Sequence, residues 1–374
     1  MDLRLPPPDD PRRLEVRRWL AEHPDPSPAE LAEAGYAAPA WPPPWGLAAD
    51  PEHRLVIDEE LDAAGIDPHA HNPIGIGWAG PTILAAGSDA QKHRYLGPLL
   101  RGEEFWCQLF SEPGSGSDLA SLQTRAVRDG DEYVVNGQKI WSTWAQEADF
   151  GILLARTDPE APKQQGISYF LFPMRQAGVE VRPIREMSGG AHFTEVFFTD
   201  ARVPAGNLVG SENQGWPLAK ITLGNERMSL STGGVLWGMG PRTSDLIDLI
   251  RSAGGLQGPE RDRAARLYVD AEVMRMLGLK IVSEVIAGRF PGPEAAVKKL
   301  LADRHGQEVM DLAADLAGAG GMTMERGPLG SDPGEWPWGL LFSRALTVGG
   351  GTAEVLRGII GERILGLPKE PSLT

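Results

Sequence analysis

The chain has 374 residues and a formal net charge of −15, so it is long enough for two or three domains and too acidic to favour nucleic acid as a partner. A single cysteine, Cys107, excludes an internal disulfide and suits a reducing cytoplasm, where we expect it to be a small buried side chain. No apolar run is long enough to predict a transmembrane helix, and the first residues lack the apolar core of a secretory signal. The seven histidines lack the spacing of metal ligands, so we predict no metal site.

The first 105 residues are predicted to form a helical domain. Leu, Val, Ile and Trp recur at helical spacing over residues 12–23 and 51–64. Ser88 is placed to cap a short helix over residues 88–96.

Residues 106–213 change to the pattern of short strands separated by turn residues. Asn136-Gly137 stands between two apolar runs and predicts a β-hairpin turn. Further strands are predicted over residues 151–155, 167–172, 179–183 and 195–199. This part is predicted to be a compact β domain.

Residues 214–374 return to long helices, with helical spacing over 265–288 and 295–316. A glycine-rich turn at 349–351 precedes a further helix that ends near residue 367. The chain is therefore predicted to be a multidomain α+β protein with a helical, a β and a second helical domain.

A turn-rich segment runs from Trp106 to Asp118 with the sequence Trp-Cys-Gln-Leu-Phe-Ser-Glu-Pro-Gly-Ser-Gly-Ser-Asp. Its proline and glycines let a loop bend and let its backbone approach a ligand closely, and its serines supply hydrogen-bond donors and acceptors. Taken alone, the segment is more typical of a surface turn in which Asp118 caps the next helix. A dinucleotide-binding fingerprint is disfavoured because a third glycine is absent at the required spacing.

A second segment, Gln138-Lys-Ile-Trp-Ser-Thr143, follows about thirty residues after the first. In isolation, Trp141 is typical of a core residue. In this order and spacing, however, the two segments resemble the Glu-Pro-x-[Ala/Ser]-Gly-Ser-Asp and Lys-x-Trp motifs of the acyl-CoA dehydrogenase family. Members of that family are flavin enzymes that oxidise the α,β bond of acyl-CoA thioesters.

The resemblance implies an N-terminal helical domain, a middle β-barrel-like domain and a C-terminal four-helix bundle. It also implies non-covalent FAD, bound between the β domain and the C-terminal helices and reaching a second subunit. Gly349-Gly-Gly-Thr-Ala-Glu354 matches a further family turn near the adenosine end of the flavin. Carried over residue by residue, the FAD-binding positions are Gln108, Phe110, Ser111, Gly116, Ser117, Trp141, Ser142, Thr143, Thr352 and Glu354. Ser117 is also expected to approach the substrate.

The sequence departs from the family pattern at two places. The family's Arg-x-x-Phe, which touches the flavin of a neighbouring subunit, is absent, and only Arg251 lies near its position. Many members place the catalytic Glu where this chain has Gly350. Glu226 in Gly-Asn-Glu-Arg-Met resembles the helix-borne base of long-chain and branched-chain members, and the adjacent Arg227 also matches a substrate-binding family arginine. The competing interpretation is a solvated Glu-Arg pair on a helix surface.

The resemblance thus implies that Glu226 removes the α-proton, the flavin accepts the β-hydride, and the Gly350 N–H binds the thioester oxygen, giving a trans-2-enoyl-CoA. An electron-transferring flavoprotein is the implied electron acceptor, and the implied assembly is a homotetramer or an α₂β₂ heterotetramer. Similarity to actinobacterial members, some of which act on steroid side chains, favours a bulky or branched acyl group. A flavin hydroxylase or nitroalkane-oxidising relative is an alternative within the same fold. A non-catalytic partner subunit of a heteromeric dehydrogenase is the alternative from another functional class.

Overall fold

The computed structural model describes residues 6–232, 235–239, 241–252, 254–286, 293–322 and 335–369. The chain divides into two compact units. The first unit comprises residues 2–186 and 191–225, and the second comprises residues 187–190 and 226–374.

Short helices open the first unit, as the sequence predicts. Ser88 accepts a hydrogen bond from the Gln91 backbone N–H while the Gln91 side chain accepts one from Ser88, which forms a capping box. Asp10, Ser27 and Asp50 cap three other helices through their side chains. The helices are α1 (Pro11–Glu22), α2 (Pro28–Glu33), α3 (Pro51–Ala63), α4 (Gly80–Ala86) and α5 (Asp89–Leu100), with a π-helical turn over Gly75–Ala79 before α4.

A curled seven-stranded sheet follows the helices. Its strands are β1 (Trp106–Leu109), β2 (Arg125–Asp129), β3 (Glu132–Thr143), β4 (Phe150–Arg156), β5 (Ile167–Pro173), β6 (Val179–Pro183) and β7 (Phe193–Pro204). The order is β1-β4-β2-β3-β7-β6, with β5 paired to the other side of β4. The four strands predicted over 151–199 are thereby confirmed.

Strands β4 and β5 are buried along nearly their whole length because both of their faces are covered. Ile152 and Tyr169 pack into the core that includes the N-terminal helices. Leu153 and Phe170 belong to a second core, built within the sheet. β1, which opens the Trp106–Asp118 segment, contributes Trp106 to the first core and Leu109 to the second, and it pairs in parallel with β4.

The predicted hairpin at Asn136-Gly137 is wrong. Both residues lie inside β3, at a shift in its register with β7, and the chain turns instead at Gly130, between Asp129 and Glu132. A Cβ on Gly137 would lie 2.5 Å from Thr124 Oγ1. Glycine is therefore required here by a close approach of the backbone rather than by a turn.

The remaining helices are α6 (Gly215–Thr232), α7 (Thr243–Ser252), α8 (Gly258–Ile286), α9 (Glu294–Ala317), α10 (Glu335–Phe342) and α11 (Ala353–Arg363). The predicted helices over 265–288 and 295–316 correspond to α8 and α9, with residues 287 and 288 outside the described part. Arg251 is exposed near the end of α7 and pairs with Asp248. Within the described residues, no helix is long and apolar enough to cross a membrane.

Candidate active site

A buried ion pair joins the two sequence motifs. Lys139 is fully buried in β3, and its Nζ lies 2.8 Å from Glu112 Oε1 and 2.9 Å from the Phe110 carbonyl oxygen. Glu112 also accepts hydrogen bonds from the backbone N–H groups of Gln123 and Thr124. Burial lowers the pKa of Lys139 to about 8, although the Glu112 carboxylate opposes this shift. The pair fixes the Glu-Pro loop against the Lys-x-Trp strand, a role that the sequence interpretation did not assign to either residue.

Trp141 lies at a bulge in β3 and turns its ring toward solvent. The β3–β7 register shifts between Ile140 and Ser142, and Trp141 has a φ of +63°, which is uncommon for a bulky residue. The side chain is 58% exposed and packs edge-on against Phe193. The interpretation of Trp141 as a core residue is therefore wrong. A strained backbone that presents a large aromatic ring is typical of a ligand contact.

The other predicted flavin contacts of the first unit lie on β1, in the loop that follows β1, and at the end of β3. Phe110 is buried against Tyr169, while the Ser111 carbonyl accepts the Ile140 N–H at 2.9 Å. Gln108 and Thr143 are half-buried, whereas Gly116 and Ser117 are exposed. Asp118 does not cap the next helical turn through its side chain, because its carboxylate pairs with Lys163 at 2.7 Å.

The residues present fit a planar, polar ligand such as the isoalloxazine ring. Ser142, the residue after Trp141, is buried, and its Oγ has no hydrogen-bond partner among the described residues, so its capacity for a hydrogen bond is not satisfied by that part of the chain. A Cβ on Gly116 would meet no atom within 4 Å, which leaves open space beside the loop.

Glu226, in the last turns of α6, is buried in the second unit, with 7% of its surface exposed. The interpretation of Glu226-Arg227 as a solvated surface pair is therefore wrong for the glutamate. A Cβ built on Gly350 would lie 3.7 Å from Glu226 Oε1. The carboxylate thus reaches the position from which a side chain at residue 350 would project.

The backbone and the surroundings of residue 350 favour glycine at this position. Its φ is +69°, and a Cβ would lie 2.5 Å from Leu230 Cδ1. No acceptor in the described part of the chain takes its backbone N–H, so the donor is available. The Glu226 carboxylate and the unbonded Gly350 N–H therefore lie close together within the second unit.

Thr352 and Glu354 follow on the first turn of α11. Thr352 caps this helix by accepting the Val355 N–H, and Glu354 is exposed and pairs with Arg357. Arg227 is half-buried; burial lowers its pKa, the Glu226 carboxylate raises it, and Arg363 lowers it. An arginine held between these groups remains a cation.

Lys299, on α9, is a second buried lysine for which the sequence interpretation had no role. Its ammonium group lies 2.7 Å from both carboxylate oxygens of Asp303, in an i,i+4 pair. A lysine and an aspartate at this spacing inside an apolar helical pattern were the available signal.

Comparison with known proteins gives the same domain order. Models of the acyl-CoA dehydrogenase N-terminal, middle and C-terminal domains match residues 10–103, 107–201 and 213–365. The chain belongs to the acyl-CoA dehydrogenase family. This is a family of oxidoreductases, and its three-domain fold of helices, curled sheet and helices is confirmed.

Among the relatives of this family member is FadE34 of Mycobacterium tuberculosis, 40% identical over 91% of the chain. The match spans 46% of FadE34, so the chain covers about half of that relative's length. The structure of the Tcur3481-Tcur3483 steroid ACAD is similar, with a TM-score of 0.83, 31% identity, and coverage of 99% of this chain and 100% of that one. The ChsE4-ChsE5 complex from Mycobacterium tuberculosis gives a TM-score of 0.80 at 31% identity, covering 99% and 100% of the respective chains.

Proposed function

We propose that the protein is an FAD-dependent acyl-CoA dehydrogenase that converts an acyl-CoA thioester to the trans-2-enoyl-CoA with Glu226 as the base. The observation that carries this proposal is the buried Glu226 carboxylate beside the Gly350 turn. The family's more common base position holds a glycine here, and Glu226 reaches toward it from α6.

The chain's own groups account for the proton transfer. An α-C–H next to a thioester is a weak acid, so its removal needs a carboxylate in contact and a donor for the developing enolate oxygen. Glu226 takes the α-proton, and the Gly350 N–H donates to the thioester oxygen. The cationic Arg227 binds an anionic part of the substrate. When bound, FAD supplies the two-electron acceptor for the β-hydride.

FAD binding is proposed at Trp141 and the residues around it, namely Gln108, Phe110, Ser111, Gly116, Ser117, Ser142 and Thr143, with Thr352 and Glu354 toward the adenosine end. The exposed Trp141 ring and the unpartnered Ser142 Oγ support this assignment.

Trp141→Ala is expected to weaken FAD binding by about 5–150-fold, because stacking of an aromatic ligand on an aromatic side chain contributes roughly 1–3 kcal/mol. Titration of the flavin-free protein with FAD, followed by flavin fluorescence, measures the change. Trp141→Phe keeps an aromatic surface and is expected to retain most of the affinity. Equal affinity in wild type and Trp141→Ala would contradict the stacking role.

A bulky, branched or steroid-derived acyl group is the proposed substrate class. Its support is the similarity to the steroid ACAD Tcur3481-Tcur3483. An electron-transferring flavoprotein is proposed as the electron acceptor, and the cytoplasm as the location.

The proposed assembly is a homotetramer or an α₂β₂ heterotetramer built through the C-terminal helices. On α8, Tyr268, Val269, Val273 and Met276 are between 46% and 56% exposed, which is apolar surface that an assembly would cover. We expect the flavin-loaded protein to sediment as a tetramer, alone or with a partner chain. A flavin-loaded, active monomer would contradict both forms.

A non-catalytic partner subunit is the second candidate. The missing Arg-x-x-Phe motif favours it, and one similar structure is the ChsE4-ChsE5 complex. Two measurements separate the candidates. The first compares the flavin absorbance of the chain purified alone with that of the chain purified with a co-expressed neighbouring-gene product. The second compares flavin reduction in that complex with and without Glu226→Gln. If flavin reduction in the complex is unaffected by Glu226→Gln and also by Glu354→Gln, the result supports the partner-subunit role. If it is lost, this chain supplies the base.

A further inference from the structure

Lys299 links α9 to the turn that carries Gly350. Besides Asp303, its Nζ lies 2.8 Å from the Leu346 carbonyl oxygen and 3.0 Å from the Gly349 carbonyl oxygen. The side chain has no exposed surface, and Trp237 covers the ammonium at 5.5 Å. The three protons of a lysine ammonium are thus directed to one carboxylate and two carbonyls.

The bond to the Gly349 carbonyl fixes the direction of the next amide. In a planar trans peptide the C=O and the following N–H point in opposite directions. Because the Gly349 carbonyl points at Lys299, the Gly350 N–H points away from it. This is the amide that lacks an acceptor in the described part of the chain. With glycines at 349, 350 and 351, the turn has little intrinsic preference for this orientation.

Lys299 also acts on Glu226 through its charge. A Cβ on Gly350 would lie 3.2 Å from Lys299 Cε and 3.7 Å from Glu226 Oε1, so both side chains border the same point. Burial lowers the pKa of Lys299, while Asp303 and Glu226 raise it. Burial raises the pKa of Asp303 to about 6, against the effect of Lys299. Arg227 is the next residue to Glu226 on α6, and the charges that act on Arg227 include Glu226 itself and Arg363 on α11.

We propose that Lys299 is a positioning residue of the active site: it orients the Gly349–Gly350 peptide so that the Gly350 N–H faces the thioester oxygen, and its charge keeps Glu226 ionised. The inference rests on the proposed function, since it assigns roles to Glu226 and Gly350 in that reaction.

Two variants test this proposal: Lys299→Met, and the double variant Lys299→Met/Asp303→Leu, which is the main one. The single variant leaves a buried carboxylate without its partner and is expected to be destabilised, whereas the double variant removes both charges together. Arg304→Met is the control, because Arg304 lies on the same helix with an exposed side chain. We expect the double variant to reduce its flavin with acyl-CoA at least about 10-fold more slowly, since loss of an oxyanion donor costs about 10²–10³-fold.

A second measurement needs no flavin. The protonated Glu226 carboxyl gives an infrared C=O band that is identified by its absence in Glu226→Gln. In the flavin-free double variant this band is expected to persist to higher pH than in wild type, because the nearby positive charge is gone. Arg304→Met should match wild type in both measurements. An unchanged titration midpoint, or a wild-type rate of flavin reduction, in the folded double variant would overturn the proposal. Failure of the proposed function shows separately, as a wild-type rate in Glu226→Gln.

Discussion

Glu226→Gln is expected to lower the rate constant of flavin reduction by acyl-CoA by about 10²–10⁴-fold, the usual contribution of a general base. Glutamine keeps the shape and hydrogen-bonding capacity of the side chain but cannot accept the α-proton. Because glutamine keeps the size of the side chain and Glu226 is not among the proposed FAD contacts, the variant is expected to retain FAD and to bind the thioester. Anaerobic stopped-flow absorbance of the flavin measures the rate constant.

Glu354 provides the matched control for this experiment. It is the carboxylate nearest to Gly350 in the following sequence, but it is exposed and paired with Arg357. Glu354→Gln is therefore expected to reduce flavin within a few-fold of wild type once FAD is saturating. The assignment of the base is wrong if Glu226→Gln reacts at the wild-type rate, and it moves to Glu354 if that variant alone is slow.

Lys139→Met is expected to lower the free energy of unfolding by about 3–5 kcal/mol, because it leaves the Glu112 carboxylate buried without its counter-charge. The same change releases the loop that carries Ser111, so FAD affinity should fall with stability. Urea unfolding followed by tryptophan fluorescence measures the effect.

Lys163→Met is the control for Lys139→Met. Lys163 also pairs with a carboxylate of the first motif, that of Asp118, but both side chains are about 60% exposed. Exposed pairs contribute about 0–1 kcal/mol, so this control should unfold close to wild type. Equal losses in the two variants would contradict a special role for the buried pair. Lys139→Met/Glu112→Leu should recover part of the loss.

The elements that the sequence predicts well are those set by local chemistry. Ser88 caps α5 through contacts within four residues, and the apolar runs of β4 and β5 are strands because both faces are covered. The prediction at Asn136-Gly137 fails because the deciding contact is with Thr124, which lies just before β2 and 13 residues from Gly137 in the sequence. Local turn preference was outweighed by a close tertiary approach.

The candidate site shows the same division between local and long-range information. The importance of Glu226 and Trp141 could be predicted from motifs, but their environments could not. Glu226 is buried beside the Gly350 turn, which is distant in the sequence, and Trp141 is exposed at a β-bulge that the sequence does not reveal. Lys139 was missed because Glu112 lies 27 residues away in the sequence. The i,i+4 pair of Lys299 with Asp303 was visible in the sequence, but its contact with the Gly349 carbonyl, 50 residues away, was not. The assignments of individual flavin and substrate contacts remain predictions.

The most direct test of the account is anaerobic titration of the FAD-loaded protein, alone and with its co-expressed partner, with a panel of straight-chain, branched and steroid-side-chain acyl-CoA thioesters. We expect at least one bulky thioester to bleach the flavin absorbance stoichiometrically and to yield an enoyl-CoA two mass units lighter, and we expect Glu226→Gln to abolish both changes. Flavin that stays oxidised with every thioester, or is reduced equally well in Glu226→Gln, would contradict the claim that this chain supplies the base of an acyl-CoA dehydrogenase.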